Sequence, residues 1–446
     1  MTPSALEKQL AAALESRQAR HIQRSLPPSA DIDLVDFSSN DYLSLSKSPE
    51  LRDRFLEKLA STEQVLGSGG SRLLVNGSPH VDLENRLRAF FNRSDDPPIS
   101  KPSPLPILAT DALLFNSGFD ANVGFFACVP QPADFIVYDE YIHASVHDGM
   151  RLSRARSIPF KHNSVEDLEN VLLGLKGERP ELSDGIGSVF IAVESLYSMD
   201  GTISPLPEII QVAESAFPNN NAYISVDEAH STGIYGPGGR GIVSMLGLQD
   251  RVFARLHTFG KALAGTGAVL LVSPLVKQYL INYARTLIYT TSLSYANIVS
   301  ANCSFDFLES GRAEALSRHV LALSEHLTTT LADILHHSLT PITPDILSLP
   351  EYMQPSASSS PSLLQLPTPI VPLMTSYPRP LAARLRALGL NVRPITWPTV
   401  PKGKERVRIC LHAKNSFEEV DLLVRYSMQW AAEVAVESSG LVSAKL

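Results

Sequence analysis

The stretch Tyr223-Ile-Ser-Val-Asp227-Glu-Ala-His230 decides the fold class. A mostly apolar run ends in an acid, and a histidine follows three residues later. Short apolar runs bounded by turn residues read as buried strands, and similar runs recur at 112–115, 135–138, 189–193 and 269–272. Stretches of helical period, 164–175 and 206–217, lie between them. Strands alternating with helices give an α/β class with a mainly parallel sheet. In such sheets ligands sit outside the carboxyl ends of the strands. An acid in that place packs poorly and meets a ligand well.

Working outward, residues 5–20 repeat Leu6, Leu10 and Leu14 at helical spacing and predict an amphipathic N-terminal helix. Residues 1–50 read as that helix and an arm, 51–293 as a large domain, and 294–446 as a smaller α+β domain with strands at 370–375 and 406–411. Two Pro/Ser-rich stretches, 95–106 and 350–367, read as surface loops. A chain of 446 residues has length for two cores. Its net charge of −8 argues against nucleic acid or an anionic membrane surface as main partner. Cys128, Cys303 and Cys410 are too scattered for a disulfide framework or a zinc ribbon. No metal site and no membrane span are expected, because no apolar run approaches the roughly 20 residues a bilayer needs, and no secretory leader is legible. The last three residues, Ala444-Lys445-Leu446, are similar to a Ser-Lys-Leu peroxisomal address, so an import receptor is an expected partner.

Four groups of residues could carry chemistry. Asp227 would hold a basic ring nitrogen protonated through a charge-assisted hydrogen bond, although taken alone the helix-cap reading is the favoured one. Lys261, in Thr258-Phe-Gly-Lys261 beyond the run 252–256, could reach a ligand aldehyde. A lysine doing so must be neutral, which partial burial favours; a solvated turn lysine is the other reading. It follows Asp227 by 34 residues, one strand-helix-strand step. Asn116-Ser-Gly118-Phe119 opens a helix whose free N–H groups suit a phosphate, with Thr258 as a further contact. His143 could stack on a planar ligand and move protons, or be a hydrogen-bonded core histidine. Gly236-Pro-Gly238-Gly-Arg-Gly241 matches a dinucleotide spelling but does not directly follow a strand and contains Pro237, so it reads as a loop.

In this order the motifs resemble the α-oxoamine synthases, fold-type I acyltransferases that use pyridoxal 5′-phosphate. The resemblance spans residues 6 to about 430. It rests on Phe37-Ser-Ser-Asn40-Asp-Tyr-Leu43, Gly67-Ser-Gly-Gly-Ser71-Arg72, Glu194 with Ser198-Met-Asp200-Gly201, Asp227-Glu-Ala-His230-Ser-Thr-Gly233, Thr258-Phe-Gly-Lys261 and Pro398-Thr-Val-Pro401. With Leu287-Ile-Tyr-Thr-Thr291-Ser292, it leans towards the biotin-pathway branch.

The resemblance implies a mainly parallel seven-stranded sheet and a homodimer with shared active sites. It implies that Lys261 carries the cofactor, Asp227 pairs with its ring nitrogen, His230 contacts the ring hydroxyl, Ser198 touches the cofactor and His143 stacks on it. Gly118, Phe119 and Thr258 would surround the phosphate, with Thr290 or Thr291 from a neighbouring subunit. Arg408 would clamp the amino-acid carboxylate, and Arg24, Asn40 and Thr399 match substrate-side positions. The implied substrates are an amino acid and an acyl-CoA. In the biotin-pathway branch these are L-alanine and a pimeloyl thioester, joined by decarboxylative condensation; glycine or serine with another acyl group, or a non-catalytic partner subunit, are the alternatives. Three departures stand out. Thr396-Trp-Pro-Thr399-Val-Pro401 lacks the arginine usual at 396, for which Arg393 is a nearby substitute; Cys410 stands where threonine is common; and the Pro/Ser stretches look like insertions.

Overall fold

The computed structural model describes residues 4–20, 22–24, 26, 34–93, 111–354 and 363–443. The stretch 95–106, Ser356 to Ser360 and Ala444-Lys445-Leu446 lie outside them.

Twelve strands follow in chain order: β1 (Val35–Asp36), β2 (Asp111–Phe115), β3 (Phe135–Asp139), β4 (Arg156–Phe160), β5 (Val189–Glu194), β6 (Ala222–Asp227), β7 (Ala254–Thr258), β8 (Ala268–Val272), β9 (Ile370–Met374), β10 (Leu390–Asn391), β11 (Arg393–Ile395) and β12 (Arg406–Cys410). Seven make one sheet in the order β2-β8-β7-β6-β5-β3-β4. β8 alone runs antiparallel to its neighbours β2 and β7, and the other pairs are parallel. β5 and β8 are buried along their whole length, as apolar runs covered on both faces require. β4 was not legible in the sequence. It is an edge strand, half exposed and carrying Pro159, so its pattern lacks a continuous apolar run.

Helices Gly118–Cys128 and Ala144–Leu152 cover one face with Phe125, Phe126, Val146 and Met150. Val165–Glu178 and Leu206–Ala216 belong to the opposite core through Leu168, Leu172, Ile209 and Ile210. The segment between Asp227 and β7 contains only a four-residue α-helix, Ile242–Met245, and 3-10 turns, where the spacing predicted a full strand-helix-strand step.

The smaller core is built on β9, β11 and β12, the helices Pro378–Ala387 and Phe417–Ser443, and Phe37 from the N-terminal arm. β1 pairs in parallel with β10, tying that arm to the small core. Helix Tyr295–Glu309 buries Ile298, Phe305 and Leu308 in the large core, and the small core takes over at Val320. The cores therefore change over within the long helix Arg312–His337, beyond the expected boundary at 293. The predicted N-terminal helix forms at Ala5–Ala19, capped by Ser4, but it buries none of its residues and leaves Leu6, Leu10 and Leu14 exposed. Among the described residues no helix is long and apolar enough to cross a membrane, no acidic, histidine or cysteine cluster could hold a metal, and all three cysteines are free.

Candidate active site

Strand ends supply the site. β5 ends at Glu194, β6 at Asp227 and β7 at Thr258; Gly118 and His143 stand just beyond β2 and β3. They converge on two connected cavities. The inner one, about 230 Å³, is lined by Gly118, Phe119, Asn122, Glu194, Asp227, Thr258 and others. The outer one, about 720 Å³, is lined by Arg24, Ser198, Trp397, Thr399, Arg408 and others. Asn40, His143, His230 and Lys261 line both, so Lys261 stands at the junction.

Asp227 is buried and fixed. Its Oδ2 accepts from Asn122 Nδ2 at 2.8 Å, and its Oδ1 accepts from the Ala229 N–H at 2.9 Å. Lys261 faces it, and burial pushes the amine below the usual lysine range, against the pull of Asp227 and Glu194. A neutral fraction of that amine is what imine formation needs.

Both histidines are held neutral. His143 caps helix Ala144–Leu152: its Nδ1 accepts from the Ser145 N–H at 3.2 Å and lies 2.8 Å from Ser145 Oγ. Burial lowers its pKa, and with Nδ1 accepting, the proton belongs on Nε2. His230 is fully enclosed and its pKa is pushed well below the usual range by burial, with Lys261 and Arg408 adding to the effect. Its Nδ1 is 2.7 Å from the Tyr42 hydroxyl, which leaves Nε2 for a ligand.

The inner cavity also contains an anion cradle. Ser117 caps helix Gly118–Cys128 by accepting from the Asp120 N–H at 3.0 Å. The N–H groups of Gly118 and Phe119, at the first two helical positions, have no intrahelical acceptor, and the positive end of the helix dipole lies there. Thr258 closes the other side: a Cβ placed on Gly118 would be 3.5 Å from the Thr258 Cβ.

In the outer cavity Arg408 is 7% exposed. Its Nη1 donates to the Ser198 carbonyl at 3.0 Å and its Nη2 to Asn40 Oδ1 at 3.2 Å, while Nε has no partner. No carboxylate pairs with it among the described residues. Its strand neighbour Arg406, by contrast, is paired with Asp200. A buried guanidinium without a counter-charge, opening on a cavity, is suited to a carboxylate from solution.

This chain matches the model of the family "Aminotransferase class I and II" over residues 32–426. The chain belongs to that family. It is 42% identical to an 8-amino-7-oxononanoate synthase of Emericella nidulans over 446 residues, 99% of each chain. It is 35% identical to an aminoacyl transferase, sphA, of Aspergillus fumigatus, covering 92% of this chain and 83% of that one. Its fold matches a serine palmitoyltransferase of Sphingomonas wittichii with a TM-score of 0.73 at 24% identity, covering 98% of this chain and all of the other. Within the aminotransferase family the chain is an α-oxoamine synthase, an enzyme of the pyridoxal-phosphate acyltransferase type.

The inner cavity fits that cofactor. Lys261 can meet its aldehyde, Asp227 its ring nitrogen, His230 its hydroxyl and His143 its ring face. The Gly118 and Phe119 N–H groups with Thr258 line the same cavity and would hold its phosphate. Ser198 lines the outer cavity, and its carbonyl receives Arg408. Thr290 and Thr291 lie away from the inner cavity of their own chain: Asn116 Nδ2 donates to Thr290 Oγ1 at 3.3 Å and to the Thr291 carbonyl at 2.6 Å. Asn40, Thr399 and Arg24 line the outer cavity, the last two as exposed side chains.

Arg393 does not take over from the arginine missing at 396. It is exposed in β11, opposite Arg408 in register, and lines neither cavity. Cys410 is buried in β12 and lines neither. The glycine-rich 236–241 loop serves a buried carboxylate: Glu228 accepts from the Ile242 and Val243 N–H groups at 2.9 and 2.7 Å. Tyr42, Asn122 and Ser145 had no role in the sequence reading. Asn122 left one trace, a polar residue amid the apolar Ala121 to Phe126.

Proposed function

We propose that this enzyme condenses L-alanine with a pimeloyl thioester, on CoA or a carrier protein, giving 8-amino-7-oxononanoate, free thiol and CO2. The observation that carries the reading is Arg408, a buried fork without a carboxylate partner beside Lys261. It would grip the amino-acid carboxylate in two parallel hydrogen bonds and so orient Cα towards the Lys261 amine. Asn40 holds that fork in place through Oδ1. Bound pyridoxal phosphate supplies the electron sink for charge developing at Cα. Lys261 Nζ, depressed in basicity by burial, would accept the Cα proton. His143 lines the same space, and its Nε2–H is available to return a proton. The outer cavity, about 720 Å³, has volume for the acyl chain.

The acyl assignment draws its support from the 42% identity with the Emericella nidulans synthase. Product mass analysis tests it, offering alanine, serine and glycine against pimeloyl-, acetyl- and palmitoyl-CoA. Alanine with pimeloyl-CoA is the expected pair. Turnover of palmitoyl-CoA with serine instead would move the enzyme towards the activity of its serine palmitoyltransferase-like neighbours and leave the family intact. We propose a homodimer as well, in which Thr290 and Thr291 reach the phosphate cradle of a second copy. Sedimentation that returns a monomer with full cofactor occupancy would overturn it.

A further inference from the structure

The inner cavity holds two carboxyl groups side by side, and the chemistry above employs one. Glu194 ends β5 in register with Asp227 at the end of β6. Both line the cavity with Lys261. Their surroundings differ sharply. Asp227 receives a donor on each oxygen, from Asn122 and Ala229. Glu194 is 3% exposed, lies against the His143 backbone N–H, and leaves Oε1 without a partner. The charged groups facing it are Asp227 from β6, Asp139 from β3 and Lys261 from the β7–β8 turn. The Tyr197 hydroxyl accepts from the Glu194 backbone N–H at 3.4 Å. Two neighbouring carboxyls in a water-poor site do not both ionise readily, and the better-solvated one keeps the charge.

We propose that Glu194 is held as a neutral carboxylic acid, leaving Asp227 the only anion beneath the ligand, and that its hydroxyl donates a hydrogen bond to an acceptor bound in the inner cavity. Burial first, then the Asp227 charge, pushes Glu194 well above the usual carboxyl range. The arrangement has a consequence for Lys261. Were Glu194 ionised, the amine would face two anions, and the second would pull its proton affinity up against burial. With Glu194 neutral, one cation faces one anion, and burial can release the proton. The inference rests on the cofactor fit and holds whichever acyl thioester the enzyme takes.

The test uses the holoenzyme with Glu194→Gln and Glu194→Met. Infrared spectroscopy near neutral pH should show a protonated carboxyl band in the native protein, shifted in D2O and lost in Glu194→Gln. The pH midpoint of the cofactor's visible band should differ by less than about 0.3 unit between native protein and Glu194→Gln, because no charge is removed. Turnover should be about tenfold or more lower in Glu194→Met, which has no donor, than in Glu194→Gln, which keeps one. A native protein without the band, or a Glu194→Gln midpoint about a unit or more lower, overturns the proposal, since removing an anion would destabilise the protonated imine. The infrared band needs no substrate and no turnover, so its absence is distinguishable from a wrong acyl assignment. It also decides the matter if Glu194→Met fails to fold.

Discussion

Replacing Arg408 by methionine should abolish recognition of the amino acid while sparing the acyl substrate. The guanidinium is buried, spends Nη1 on the Ser198 carbonyl and Nη2 on Asn40, and keeps Nε unpaired. Hydrogen bonds between charged groups contribute about 1.5–3 kcal/mol each, and a carboxylate gripped by the fork makes two. Loss of both predicts about 3–6 kcal/mol, or a fall of about 150- to 25,000-fold in kcat/KM for alanine. Methionine also relieves the site of an unpaired buried charge, so the lower half of that range is expected. Arg408→Lys keeps the charge and loses the fork, and should fall between native and methionine. The assay is steady-state kinetics with alanine varied at saturating thioester, and then the reverse. The KM for the thioester should move less than about threefold. Arg406→Met is the control on the same strand face: breaking its buried pair with Asp200 should cost about 3–5 kcal/mol of stability. If the alanine KM were unchanged in Arg408→Met, or if the thioester KM rose equally, the assignment of Arg408 to the amino-acid carboxylate would be wrong.

Other perturbations test the second layer of the site. Asn122→Leu removes the 2.8 Å donor to Asp227 and should weaken cofactor retention by about 10- to 100-fold, read as loss of visible absorbance on dialysis. Tyr42→Phe leaves His230 Nδ1 without its 2.7 Å partner and should lower turnover about tenfold with the cofactor still bound; unchanged turnover would show that the hydroxyl does not set the imidazole orientation. His257, stacked on Phe91 at 3.8 Å, is held neutral with its pKa well below 6.5, chiefly by burial. Its unfolded form binds a proton that its folded form refuses, so it lowers stability as pH drops below about 6.5, by about 1.4 kcal/mol per pH unit. Urea unfolding of His257→Gln should show that much less acid sensitivity than native protein. Gly241→Ala should destabilise by about 2 kcal/mol or more in thermal denaturation, since at φ 94° the new Cβ would stand 2.6 Å from Glu228 Oε2, which already accepts from the Ile242 N–H.

Much of the sheet was legible because its strands are buried on both faces and therefore read as unbroken apolar runs. β4 was hidden because an edge strand need not be apolar, and the changeover inside Arg312–His337 because one continuous helix supplies both cores. Asp227, Lys261 and His143 stood out as polar residues just past apolar runs. Tyr42 and Asn122 did not, because a tyrosine or an asparagine in an apolar setting looks the same whether it packs or holds a partner 188 or 105 residues away.

Local chemistry along the chain determined the α/β class, the strand-end position of the acid and the lysine, and the kind of cofactor they suit. Only tertiary folding decided which polar groups face one another. It brought Tyr42 and Arg408 from opposite ends of the chain to His230 and Asn40, left Arg408 without a counter-charge while pairing Arg406, moved Arg393 out of reach, and set Glu194 beside Asp227. The physical reason is that a side chain's charge state depends on its solvation and neighbours, and those are fixed by strand order and register across the sheet, which residue spacing does not encode.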